Sequence, residues 1–221
     1  MSQDVLSTLQ QYVAGDGKSI NVPPAISNAF GAAIGTPIYI IPRIQAKLAA
    51  ANPGMKIAIT EYYNGGGGHI AGTIAQADNL GIYGSYGLFA ACLWPLGSDP
   101  YVVAAFKAYR NFDGAGHNFG DTSVAATSNN VANVAAYVST DSTRPGRVVM
   151  VLINRSVSAQ STAVTGQPLT GTAHLFQITA TTASQQGGAS IAPVAAGTQA
   201  VSGSSITVNL PALSVTTVDI Y

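Results

Sequence analysis

Apolar positions recur in the first half of the chain at two different periods. Over residues 37–51, Ile38, Ile41, Ile44, Gln45 and Leu48 fall at spacings of three and four, which predicts an amphipathic helix with Thr36 as cap and Pro37 in its first turn. Asn52-Pro53-Gly54 stops it. Residues 56–61 then read as a short strand, apolar enough to be buried on both faces as in a parallel sheet. Asn64 and four glycines make a loop, helical spacing returns through Ile70, Ile74, Ala77 and Leu80, and residues 88–94 give a second buried strand. Asp99 as N-cap and Pro100 at the first helical position open a third helix, with Val102, Ala105, Phe106 and Tyr109 on one face. Strands alternating with helices imply a parallel sheet with right-handed crossovers, whose chemistry sits at the C-terminal strand ends. Glu61 and Trp94 stand at those two ends.

After residue 121 the pattern changes to alternating runs rich in Thr, Ser and Val. Strands are expected at 131–139, 147–154, 161–165, 172–179, 189–195, 199–201, 205–209 and 214–220, with Arg144-Pro145-Gly146 and Gly203 as turns. That spacing predicts an antiparallel β-sandwich. The fold class is thus α/β plus all-β, in two domains, 1–121 and 122–221.

Composition narrows the function. Charged residues are 8% of the 221, against roughly 25% in ordinary soluble domains, and the net charge is zero. Nucleic acid and anionic membrane partners are excluded, because both require a basic surface. The apolar runs at 38–41 and 88–93 are far shorter than the roughly 20 residues of a membrane span. One cysteine, Cys92, leaves no internal disulfide. Met1-Ser2-Gln3-Asp4 carries neither a basic head nor an apolar run, so no secretory signal is expected. A surface of Ser, Thr, Gly and Tyr that is polar without being ionic favours carbohydrate as ligand.

Several short motifs fail on inspection. Gly17-Lys18-Ser19 ends like a phosphate-binding loop, but Tyr12 stands where its first glycine belongs. No Gly-x-Gly-x-x-Gly can be written across glycines 65–68. Ser85 lacks the glycine two residues before it that a nucleophile elbow requires. His69, His117 and His174 are too far apart for metal-ligand spacing, so neither metal nor cofactor is expected. Asn154-Arg155-Ser156 is a glycosylation sequon, informative only for a secreted eukaryotic chain.

Glu61, the only glutamate in the chain, has two readings: a surface carboxylate at a strand end, or a catalytic carboxylate of glycoside hydrolysis. Asp99 follows the second strand and can face the site, although its Asp-Pro setting favours capping of its helix; Asp78 is expected to be solvated mid-helix, and Asp113 to be solvated or capping near a helix end. Tyr62, Tyr63, Asn64 and His69 are the polar side chains around Glu61 that can hydrogen-bond sugar hydroxyls. Trp94 is either a sugar-stacking platform or a core ring closing the sheet.

Ile59-Thr60-Glu61-Tyr62, the glycine-rich loop, His69-Ile70-Ala71-Gly72, Ile74-Ala75-Gln76-Ala77-Asp78, Leu80-Gly81-Ile82-Tyr83-Gly84, Leu93-Trp94-Pro95-Leu96 and Tyr109-Arg110-Asn111-Phe112-Asp113-Gly114 together resemble glycoside hydrolase family 44, which contains endoglucanases and xyloglucanases. The match is densest over residues 37–124. The resemblance implies a retaining glycosidase in which Glu61 is the nucleophile at the end of the seventh strand of a TIM barrel and Trp94 stacks on sugar at the end of the eighth. It also implies that the first region is a partial (half) TIM-barrel βαβα unit, that the acid/base glutamate belongs to an earlier strand this chain does not contain, and that the protein is secreted. The family usually has Asn directly after the tyrosine, whereas here Tyr63 intervenes.

The expected function is weak retaining hydrolysis of a β-glucan or xyloglucan-like polysaccharide, or of aryl glycosides. The alternatives are a non-catalytic relic that oligomerises and binds glycans, and an esterase-like activity in the opened cleft. The expected partners are a carbohydrate polymer or oligosaccharide and further copies of the chain, a homo-oligomer covering the open barrel edge.

Overall fold

The computed structural model describes residues 40–94, 99–187 and 190–221. Its elements follow the order α1 (Ile40–Ala51), β1 (Ala58–Tyr62), α2 (Ile70–Ser85), β2 (Ala90–Leu93), α3 (Pro100–Arg110), β3 (Thr122–Val124), β4 (Val134–Thr140), β5 (Val148–Asn154), β6 (Gln160–Thr179), α4 (Ala180–Gln186), β7 (Val194–Leu210) and β8 (Ser214–Ile220). The class is mixed α/β. The alternation of helix and strand through α3 agrees with the periodicity, whereas the expected cap Thr36 and first-turn Pro37 lie outside the described residues.

β1 and β2 form a two-stranded parallel sheet. One face is filled by Ile59, Tyr62 and Ala91, which pack with Ile41 of α1 and with Ile82 and Tyr83 of α2. The other face presents Ala58, Thr60, Ala90 and Cys92, all exposed. The expectation of strands buried on both faces is therefore corrected: the helices cover one side, and among the described residues nothing covers the other.

The second sheet has six antiparallel strands in the order β3-β4-β5-β8-β6-β7. Its apolar alternation gives both faces a core. On one face, Ala135, Val151, Ile153, Ile178 and Val215 receive Ile70, Ile74 and Ala77 of α2 and Ala104, Ala105, Ala108 and Tyr109 of α3. On the other, Met150, Leu152, Val218 and Ile220 meet Leu169, Val201, Ile206, Val208 and Leu210, because the long β6–β7 hairpin curls back over the sheet. The runs expected at 161–165 and 172–179 are one strand with a register shift between Thr165 and Leu169, and those at 199–201 and 205–209 are also one strand, passing through Gly203 without turning. Strand pairing along the whole hairpin overrode the local turn signals.

α4 lies between the strands expected at 172–179 and 189–195, the second of which begins only at Val194, and it is capped by Thr179 and Thr182 bonding each other's backbone amides. The amide nitrogen of Asn154 donates to the carbonyls of Ser158, Leu210 and Pro211, so the sequon asparagine is a buried structural tie.

Polar contacts lock the helices to the six-stranded sheet. Asp78 of α2 is fully buried; it accepts from Arg155 Nη2 at 2.7 Å and from the Tyr137 hydroxyl. It is not a solvated mid-helix residue. Tyr109 donates to the Ala77 carbonyl at 2.9 Å and Thr217 to the Ala108 carbonyl at 2.8 Å.

Close approach at α2 depends on Gly81, where a Cβ would sit 2.3 Å from the Tyr137 ring. Gly81→Ala is expected to cost about 1–3 kcal/mol by overpacking. Gly84→Ala, three residues along with open space around it, is expected to stabilise by up to about 1 kcal/mol through helix propensity. Urea unfolding of both variants checks the opposite signs; equal effects would contradict the packing.

Candidate active site

The site is built at the C-terminal end of the parallel pair. Ile59 pairs with Ala91 and Tyr62 with Leu93, so β1 advances three residues while β2 advances two. The extra residue is a bulge at Thr60 and Glu61, and both of these consecutive side chains are exposed. A bulge breaks strict alternation and re-aims a side chain. Here it leaves Glu61 exposed and returns Tyr62 to the helix side. Tyr62 accepts from Gln76 Nε2 at 2.7 Å and packs edge-on to Tyr83 at 5.2 Å, and burial pushes its hydroxyl pKa up.

The pairing continues one step past β2, where the Trp94 amide donates to the Tyr62 carbonyl at 2.9 Å. Trp94 therefore lies beside the end of β1 with 54% of its surface exposed, which removes the reading of a core ring. His69 caps α2: its Nδ1 accepts from the Ala71 amide at 3.1 Å, which leaves the proton of the neutral ring on Nε2, and the side chain is exposed. Tyr63 donates to Asp99 Oδ1 at 2.9 Å, and Asn64 is half-buried at the start of the glycine loop. The six sequence-predicted residues thus belong to one end of the sheet and its loop, with Tyr62 turned toward the helices.

The carboxylates can be accounted for one by one. Beyond Asp78, Asp219 is buried against Arg147, which donates to both of its oxygens at 2.8 and 2.9 Å. Asp113 accepts from His117 Nδ1 and from the amides of Ala115 and His117; burial raises its pKa in part, but the His117 bond and these amides hold it below the usual carboxylate value. Ser142 holds Asp121 down, and Asp141 is held down to about 2 by Thr143 and Arg147. A general acid needs the opposite shift. Asp99 stands at the N-cap of α3 without making a capping bond, so the expected capping is corrected: its carboxylate turns to Tyr63 instead. Among the described residues Glu61 is the one side-chain carboxylate with no hydrogen bond or ion pair. No group of three or more His, Cys, Asp and Glu side chains converges among them.

Gln76, beneath Tyr62, is a residue the sequence did not identify, and Asp99, which the sequence placed either facing the site or capping its helix, lies beneath the loop. A Cβ at Gly67 would lie 1.7 Å from Asp99 Oδ1, so the carboxylate takes the space a side chain would need there.

No family model matches the chain. It is 41% identical over 117 residues to the β-mannanase/endoglucanase A of Caldicellulosiruptor saccharolyticus, covering 53% of this chain and 9% of that protein. Among solved structures, it is similar to a Paenibacillus polymyxa xyloglucanase from glycoside hydrolase family 44, with TM-score 0.84 and 27% identity over 99% of this chain and 41% of the other. It is likewise similar to CelM2, a bifunctional glucanase-xylanase from a metagenome library, with TM-score 0.79 and 31% identity over 98% and 39%. The matching relatives are glycoside hydrolases of greater length. The chain is similar to solved structures of glycoside hydrolase family 44, of whose length it spans about two fifths.

Proposed function

We propose that the chain is a glycoside hydrolase-like protein that performs weak retaining hydrolysis on β-glucan or xyloglucan-like polysaccharide and on aryl β-glucosides. The observation that carries this reading is Glu61: a carboxylate with no structural partner among the described residues, on the open face at the end of a parallel strand, beside an exposed tryptophan. Glu61 attacks the anomeric carbon, the glycosidic oxygen leaves, and water then hydrolyses the glycosyl ester. Trp94 stacks on a sugar ring, Tyr63, Asn64 and His69 Nε2 hydrogen-bond hydroxyls, and Tyr62 steadies the end of β1 from beneath. Xyloglucan as substrate is supported by the likeness to the P. polymyxa xyloglucanase, and glucan by the likeness to the C. saccharolyticus endoglucanase and to CelM2.

The absence of a second glutamate from the sequence, with the described aspartates engaged, limits the proton supply to the leaving group. General acid catalysis typically contributes roughly 10²–10⁴-fold, so turnover is slow and favours leaving groups that depart without a proton. Aryl β-glucosides are the test substrates. Hydrolysis by the parent chain that Glu61→Gln lacks supports the reading, and an equal rate in the variant overturns it. The same acid inventory favours a second reading, a non-catalytic chain that binds glycans at Trp94.

The finer architecture belongs to the same proposal: residues 1–121 are a partial (half) TIM-barrel unit and residues 122–221 a sandwich-like domain. The face of the β1–β2 sheet that no described residue covers, with Phe89 66% and Trp94 54% exposed, supports self-association that covers it, because parallel sheets are normally covered on both faces. Light scattering at micromolar concentration is expected to give at least twice the 22.4 kDa chain mass; a monomer would exclude this.

A further inference from the structure

The glycine loop after β1 is wrapped around a carboxylate. Asp99 Oδ1 accepts from the Tyr63 hydroxyl at 2.9 Å and occupies the space a side chain at Gly67 would need, with its Oδ1 1.7 Å from the Cβ position. The Gly67 carbonyl accepts from the Tyr101 amide at 3.2 Å, and the Gly66 carbonyl from the His69 amide at 3.0 Å. Gly66 and Gly72 approach so closely that a Cβ on Gly72 would meet the Gly66 carbonyl oxygen at 2.2 Å. Asp99 does this while leaving the amides of α3 without its side chain as a cap, and its Oδ2 is buried with no partner among the described residues. Both are unfavourable locally. A carboxylate held at such a cost to the helix start has a use elsewhere.

We infer that Asp99 is a positioning residue of the site: through the Tyr63 hydroxyl it fixes the loop that carries Asn64 and His69 next to Glu61. The assignment rests on the reading of Glu61 as nucleophile. It also explains the inserted tyrosine, whose hydroxyl is the link between strand end and helix start. Tyr63 lies two residues after Glu61, so movement of its ring moves the end of β1 with it.

The test compares Tyr63→Phe, Asp99→Ala and Asp99→Asn with the parent chain by amide hydrogen exchange and by turnover of an aryl β-glucoside. A hydrogen bond to a charged acceptor predicts exchange at the His69 and Tyr101 amides roughly 10- to 100-fold faster in Tyr63→Phe and Asp99→Ala, with amides of the six-stranded sheet unchanged. Asp99→Asn keeps an accepting oxygen and is expected to restore most of the protection. kcat is expected to fall in step with loop exchange across the series. Unchanged exchange in both Tyr63→Phe and Asp99→Ala overturns the inference. So does faster exchange with kcat unaltered, or faster exchange spread evenly over the whole molecule, which is the signature of a merely structural residue. If the parent chain turns over no substrate, binding of cellotetraose replaces kcat as the second readout, and that outcome counts against Glu61 as nucleophile rather than against the clamp.

Discussion

Asp78→Ala is expected to cost about 3–5 kcal/mol of folding stability. Asp78 has no exposed surface and Arg155 has 5%, so removing the carboxylate leaves a guanidinium buried between α2 and the six-stranded sheet without its counter-charge. Tyr137 loses its acceptor in the same step. Domains of this kind have roughly 5–15 kcal/mol in total, so the variant sits near the edge of folding. Arg155→Met alone strands Asp78 and should cost a similar amount. The double variant Asp78→Ala/Arg155→Met strands neither charge and should be more stable than the sum of the single losses predicts, a coupling read from urea unfolding. Additive losses, or a change below about 1 kcal/mol in Asp78→Ala, would contradict the role assigned to this pair.

Glu61→Gln is expected to lower turnover of aryl β-glucosides by at least about a thousandfold, because in the proposed function Glu61 forms the glycosyl ester. The same substitution should leave stability within about 0.5 kcal/mol, as its side chain is exposed and makes no hydrogen bond among the described residues. The combination separates chemistry from folding. A Glu61→Gln protein that melts like the parent and hydrolyses nothing supports the nucleophile. One that melts like the parent and hydrolyses at the parent rate assigns the activity elsewhere.

The contrast between these two acids shows what the sequence carried. Helical spacing through Ile70, Ile74 and Ala77 and the short apolar runs around Ile59 and Ala91 made the α1-β1-α2-β2-α3 order legible, because local period alone determines it. The position of Glu61 near the end of β1 was legible for the same reason, since a strand end needs no long-range information. Asp78 was not, since its partner Arg155 is 77 residues away and nothing local distinguishes a buried helix carboxylate from a solvated one. Asp99 was misread because Asp-Pro is a strong local capping signal, overridden by a tyrosine 36 residues earlier. In the second region, Gly203 looks like a turn, yet the β6–β7 ladder carries the chain past it. α4 was hidden by its Thr, Ser and Gln content and appears only through its Thr179 and Thr182 cap.

The proposed function turns on Glu61 forming a covalent bond to sugar, and mass spectrometry after incubation with a 2-deoxy-2-fluoro aryl β-cellobioside tests this directly. The fluorine slows hydrolysis of the ester, and the good leaving group lets it form without the acid. One added glycosyl mass per chain is expected, mapped to the peptide that contains Glu61 and absent from Glu61→Gln. An unlabelled parent chain, or a label carried equally by Glu61→Gln, would contradict the assignment.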